Sequence, residues 1–140
     1  SSTNLGVLTT TEGFVEYDSA VRSSVSSLKE EIVLRSKTIV NLLGGELECN
    51  SGYPAWEYNS NSKIREICQS VHKEMYGKEA EIVAIHAGVE CGLFNEKLGN
   101  LDMISFGPNL YDVHTPEEHM SISSVKNCYE YLVEILKSIK

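Results

Sequence analysis

Apolar and polar positions change rhythm several times along this chain. Leu5-Gly-Val-Leu-Thr9 and Gly13-Phe-Val-Glu-Tyr-Asp-Ser-Ala-Val-Arg22 are short, β-prone runs separated by Thr10, Thr11, Glu12 and Gly13. An antiparallel hairpin is the simplest structure for that pattern. In the second run Phe14, Glu16, Asp18 and Ala20 alternate with Val15, Tyr17, Ser19 and Val21, so one face is the more apolar. Serines 23, 24, 26 and 27 offer N-caps for a helix. Leu28, Ile32, Arg35, Ile39, Leu42 and Leu43 then follow near helical spacing until Gly44-Gly45, where a glycine accepts the left-handed cap conformation. Glu46-Leu-Glu-Cys-Asn-Ser51 alternates again and reads as a third strand.

The next stretch, Gly52-Tyr-Pro-Ala-Trp-Glu-Tyr-Asn-Ser-Asn-Ser62, is irregular and aromatic, and composition shifts near its end. Ser62 can cap a helix whose stripe is Ile64, Ile67, Cys68, Val71 and Met75 and whose stop is Gly77. Glu81-Ile-Val-Ala-Ile-His86 is mostly apolar, as in a strand buried on both faces. Ala87-Gly-Val-Glu-Cys-Gly-Leu-Phe94 leaves that run through two glycines, and Asp102-Met-Ile-Ser-Phe106 is a further strand. Ile122, Val125, Cys128, Leu132, Ile135, Leu136 and Ile139 mark a closing helix. The pattern predicts a mixed α/β (α+β) fold in two parts: strand, strand, helix and strand over residues 1–59, then helix, strand, strand and helix over 60–140. The first part lacks the second helix such a unit usually carries, and the chain opens directly in a strand. Both features are expected of a piece of something larger.

Composition narrows the partners. With 140 residues, 41% apolar and 23% charged, the chain has the make-up of an ordinary globular protein. A formal charge of −8 disfavours nucleic acid or an anionic membrane as partner, while leaving carboxylates available to a cation. Cys49, Cys68, Cys91 and Cys128 form no C-x-x-C pair, so reduced, cytoplasmic thiols are expected. No apolar run is long enough to span a bilayer.

Three places carry candidate chemistry. His114 follows the break at Gly107-Pro108 and precedes Thr115-Pro116-Glu117-Glu118. A loop imidazole is a good zinc ligand if other donors converge on it, and otherwise an ordinary surface histidine. Thr115, Pro116 and Glu118 have the spacing of a capping box at a helix start, and His119 reads as solvated. In His86-Ala-Gly-Val-Glu-Cys-Gly92, small residues at a strand end let a ligand approach backbone N–H groups, or simply make a tight exit turn. His86 itself fits a hydrogen-bonded core residue. Arg22, at a strand end, suits bidentate capture of a carboxylate or a surface ion pair with Glu16 or Asp18. Trp56 with Tyr53 and Tyr58 offers either a binding surface or an aromatic plug at the domain junction.

Taken together, Ile85-His-Ala-Gly-Val-Glu-Cys-Gly-Leu-Phe94, Leu101-Asp-Met-Ile-Ser-Phe-Gly-Pro108 and His114-Thr-Pro-Glu-Glu118 closely resemble the C-terminal end of bacterial aminoacyl-histidine dipeptidases. These belong to the co-catalytic zinc family that also includes carnosinases, acetylornithine deacetylases and carboxypeptidase G. The strand ending at Arg22 and its following helix are similar to the family's ferredoxin-like lid domain. The resemblance implies part of a lid, followed by the C-terminal part of an α/β/α zinc-peptidase catalytic domain. It implies His114 as the last metal ligand, on one of two zinc ions. Arg22 would hold the substrate's terminal carboxylate, and Ala87, Gly88 and Glu90 would line the substrate pocket. It also implies a homodimer formed through the lid and a dipeptide substrate, with Xaa-His preferred, cleaved by zinc-activated water.

The family's other metal ligands and its general-base Glu lie in an N-terminal half, and no H-x-D motif occurs here. The catalytic base is therefore expected outside these residues, and the 140-residue chain is expected to be inactive alone. Two other readings stay open: a non-catalytic binding or assembly module built on this half of the fold, and a deacetylase or tripeptidase of the same zinc family.

Overall fold

The computed structural model describes residues 1–86, 90–99 and 101–139. They form two strands and a helix, β1 (Ser2–Thr10), β2 (Val15–Arg22) and α1 (Ser26–Leu42), then two helices, α2 (Lys63–Tyr76) and α3 (Glu90–Leu98). A short strand pair, β3 (Leu110–Tyr111) and β4 (His119–Met120), precedes the closing helix α4 (Ile122–Ser138). The mixed α/β class expected from the pattern is thus the one found. The chain divides into two compact units, one of Ser1–Tyr58 with Val83–Leu101, the other of Asn59–Ile82 with Asp102–Lys140. Residues 83–101 therefore group with the first unit, where a single cut after residue 59 would put them with the second.

In the first unit β1 and β2 pair antiparallel from Ser2↔Arg22 to Thr10↔Val15, with a bulge at Gly6 between Leu5 and Val7. Thr11 closes the turn: its N–H donates to the Phe14 carbonyl at 3.0 Å, and its hydroxyl accepts from the Phe14 N–H at 3.2 Å. The serine run does not cap α1 as expected. The N-cap is Val25, without a side-chain cap bond. Ser23 Oγ instead accepts from the Val25 N–H and donates to the Val25 carbonyl, a local bond that competes with capping. The end of α1 follows the glycines: Gly44 N–H donates to the Asn41 carbonyl and Gly45 N–H to the Val40 carbonyl, with Gly44 at φ 74°. This is the Schellman arrangement.

The aromatic stretch is tied to the start of α1 by Lys29 Nζ donating to the Tyr53 carbonyl (2.6 Å) and Ser26 N–H to Glu57 Oε1 (3.4 Å). It is also in contact with α3. A Cβ on Gly92 would stand 2.7 Å from the Pro54 carbonyl oxygen, so glycine is what lets the helix approach.

The second unit holds the hydrophobic core. Cys68 and Val71 of α2 and Ile135 of α4 are buried, with Ile64, Ile67, Met75, Ile104 and Tyr131 packed against them. Ser62 caps α2 as its position predicts, accepting from the Arg65 N–H at 3.1 Å. It also hydrogen-bonds the Asp102 carboxylate, whose Oδ2 accepts the Ile64 N–H at 3.0 Å. These bonds at a helix N-terminus, the Ser62 hydroxyl first and the backbone N–H groups after it, hold the Asp102 carboxyl below its usual range. Tyr131 donates to the Cys68 carbonyl at 2.7 Å and packs edge-on to Phe106. Burial, followed by the neighbouring Cys68, pushes its phenol up to about 12.

Three expected strands are not strands. Residues 46–51, 81–86 and 102–106 carry strand-like patterns but lie in no ladder among the described residues. A strand exists by hydrogen-bonding to a neighbour, and these segments have none there. His86 is exposed rather than in a core. Of the run read as a ligand-approach loop or a tight exit turn, Glu90, Cys91 and Gly92 belong to α3, and residues 87–89 lie outside the described residues. All four cysteines are free, and among the described residues no helix is long and apolar enough to cross a membrane.

Candidate functional site

His114 lies in the loop between β3 and β4. The strand pair is brief, Leu110↔Met120 and Tyr111↔His119, and its base is fastened to α4. Ser121 N–H donates to the Asn109 carbonyl at 3.1 Å, and Asn109 N–H donates to Ser124 Oγ at 2.9 Å. Ser124 and the N-cap Ser121 belong to the start of α4, whose Ile135 is in the core. The loop is thus mounted on a packed helix.

Inside the loop the expected capping box takes a different form. Residues 115–118 make turns, not a helix. Thr115 Oγ1 donates to the Asp112 carbonyl (2.7 Å) and accepts from the Glu117 N–H (3.2 Å), while Glu118 N–H donates to the Thr115 carbonyl (3.1 Å). The Glu118 carboxylate does reach back, but past Thr115, to accept the His114 N–H at 2.8 Å. Asp112 at φ 50° and His114 at φ 68° both stand in the left-handed region. Asp and His tolerate it better than most residues, yet it costs about 1–3 kcal/mol each and persists only where surrounding contacts fix it. Such backbone clusters at functional sites.

His119, expected to be merely solvated, is exposed but engaged. Its ring stacks on Tyr111 at 5.1 Å, and Nδ1 lies 2.8 Å from the Glu117 carbonyl and 3.6 Å from Asp112 Oδ2. A carbonyl only accepts, so Nδ1 carries the hydrogen.

The other candidates lie in the first unit. Arg22 is the exposed last residue of β2, opposite Ser2, and no ion pair with Glu16 or Asp18 forms. Glu90 is exposed in the first turn of α3, where a carboxylate favours the helix dipole. Ala87 and Gly88 lie outside the described residues. No hydrogen bond or ion pair joins Arg22 to Glu90 among the described residues. The Glu118 carboxylate on the His114 N–H, and the contacts of His119 with Tyr111 and Asp112, are not evident from the sequence pattern. The signal available there is a carboxylate four residues after the histidine.

As a metal centre the donor set is incomplete. Among the described residues no three His, Cys, Asp or Glu side chains gather so as to hold a metal ion, whereas a stable zinc site takes three or four protein ligands. His114 offers one imidazole, and no chemical step through a metal follows from these residues alone.

The sequence and fold of this chain have counterparts among known proteins. The chain belongs to peptidase family M20/M25/M40, which it matches over residues 6–138, a family of metal-dependent peptidases. It is 34% identical over 139 residues to the cytosol non-specific dipeptidase of Escherichia coli (strain K12), covering 99% of this chain and 29% of that protein. The crystal structure of aminoacylhistidine dipeptidase from Vibrio alginolyticus superposes with a TM-score of 0.84 at 34% identity, over 99% of this chain and 28% of that one. The chain thus spans less than a third of the length of the relatives it matches, and its fold is that of part of an M20 dipeptidase.

Proposed function

We propose that this sequence is part of a metal-dependent dipeptidase in which His114 is a metal ligand and the remaining ligands and the general base come from residues outside these 140. The observation that carries the reading is the near-complete alignment of the chain with two dipeptidases. The left-handed, carboxylate-clamped backbone at His114 supports it, because such strain is kept where a side chain must be aimed. Arg22 would bind the dipeptide's terminal carboxylate through its planar guanidinium, and Ala87, Gly88 and Glu90 would line the pocket. The metal is zinc, two ions per site, and the substrate is a dipeptide, with C-terminal histidine the first class to try. The protein works in the cytoplasm as a homodimer joined through the part containing β1, β2 and α1, a lid of which residues 1–59 are a portion. Neither nucleic acid nor membrane is a partner. The 140-residue chain alone is inactive.

The test is hydrolysis of a dipeptide panel, Xaa-His members included, together with acyl-amino acids and tripeptides, by the full-length gene product before and after chelation. Dipeptide cleavage that is lost on chelation and restored by zinc supports the reading. Cleavage of acyl-amino acids or tripeptides in preference would assign another reaction of the family, and no metal-dependent hydrolysis at all would leave a non-catalytic module.

A further inference from the structure

Two hydrogen bonds hold the backbone at His114: the Thr115 N–H donates to the Asp112 carbonyl at 3.2 Å across it, and the His114 N–H donates to a side chain. The other loop hydrogen bonds, Thr115 hydroxyl to the Asp112 carbonyl, Glu117 N–H to the Thr115 hydroxyl and Glu118 N–H to the Thr115 carbonyl, close the turn without engaging the histidine's own N–H. The bond made by a side chain to the His114 N–H is the 2.8 Å contact with Glu118 Oε2. Because Cβ direction is fixed by φ and ψ, whatever holds the peptide at φ 68° also decides where the imidazole projects. Glu118 is itself well anchored, since its own N–H is held by the Thr115 carbonyl and the next residue enters β4.

We propose that Glu118 is a positioning residue for His114, its carboxylate setting the backbone from which the imidazole meets a metal; this rests on the reading of His114 as a metal ligand. The role needs a hydrogen-bond acceptor at a given reach, not a charge and not a metal–oxygen bond. Glutamine keeps an acceptor oxygen at that reach, aspartate is one methylene too short, and alanine has nothing to offer.

The experiment titrates zinc against a competing chelator in the metal-free, full-length protein for His114→Ala, Glu118→Ala, Glu118→Asp, Glu118→Gln and the His114→Ala/Glu118→Ala pair. Thermal unfolding of each metal-free protein is followed alongside. Glu118→Ala and Glu118→Asp are expected to weaken zinc binding about tenfold, the scale of losses when groups behind a metal ligand are removed. Glu118→Gln should bind within about threefold of the parent, and the double variant no more weakly than His114→Ala alone, because Glu118 acts through that imidazole. The proposal is overturned by any of three results: unchanged affinity in folded Glu118→Ala, a loss in Glu118→Gln as large as in Glu118→Ala, or additive losses in the double variant. A carboxylate that only braces the loop lowers the melting temperature of Glu118→Ala without lowering its zinc affinity, and that result also overturns it. Should Glu118→Ala not fold, Glu118→Asp and Glu118→Gln carry the comparison. Parental zinc affinity in His114→Ala would instead overturn the ligand reading itself.

Discussion

The two units use the same kinds of element and differ in what those elements bury. In the second, α2 and α4 bring Cys68, Val71 and Ile135 together, and Ser62 and Asp102 close the helix start in a hydrogen-bonded cap. In the first, α1 has no buried residue, and its Leu34, Ile39, Leu42 and Leu43 are exposed, Leu42 by 82%. The hairpin likewise exposes Leu5, Val7, Leu8, Phe14, Val15 and Tyr17. Amphipathic pattern creates an apolar face, but burial stabilises it only when another face is present. His114 sits in the unit that has a buried core, and a loop mounted on such a core is held stiffly.

Core truncation sharpens the contrast most. Ile135→Ala should destabilise the second unit by about 2–5 kcal/mol, the usual cost of emptying a buried isoleucine site, whereas Leu34→Ala in the 140-residue chain should cost no more than about 0.5 kcal/mol. Denaturant titration of both reads this directly. If residues outside this chain cover α1, Leu34→Ala will cost more in the full-length protein, and the contrast breaks there.

Gly92→Ala tests the tight contact that the first unit does have. A methyl 2.7 Å from the Pro54 carbonyl oxygen must displace backbone, at about 1–3 kcal/mol, and protease sensitivity of the Tyr53–Tyr58 stretch should rise. Tyr131→Phe removes the bond to the Cys68 carbonyl and should cost about 1 kcal/mol. Its folded phenol ionises near 12 against an ordinary 10.0. The associated stability is therefore complete below about pH 10 and lost as pH rises through 12. Ultraviolet titration should show one late tyrosine that the variant lacks. Asp102→Asn has the smallest effect, about 0.5 kcal/mol. Because the folded carboxyl sits below its ordinary value, its stabilisation is present above about pH 4 and is lost as pH falls through the lowered value; the variant should lack that part of the acid transition.

What is legible in the sequence follows the same division. Helices α2 and α4 are legible because their stripes and stops are local, Ser62 and Gly77 above all. The hairpin is legible for the same reason. The strands expected at 46–51, 81–86 and 102–106 depend on partners far along the chain, which pattern cannot supply. Helix α3 is hidden by Gly92, which reads as a turn residue although Cys91, Phe94 and Leu98 keep helical spacing. His114 is legible through its motif, but its clamp is not. Thr115 and Glu118 have the spacing of a helix start, and only the fold shows the carboxylate closing on the histidine's own N–H.

The most direct test of the central claim is the zinc content per chain of the full-length protein and its His114→Ala variant, purified alike and analysed by elemental mass spectrometry. The account predicts that the variant, still folded, carries less zinc than the parent. Equal zinc in the two proteins would contradict it.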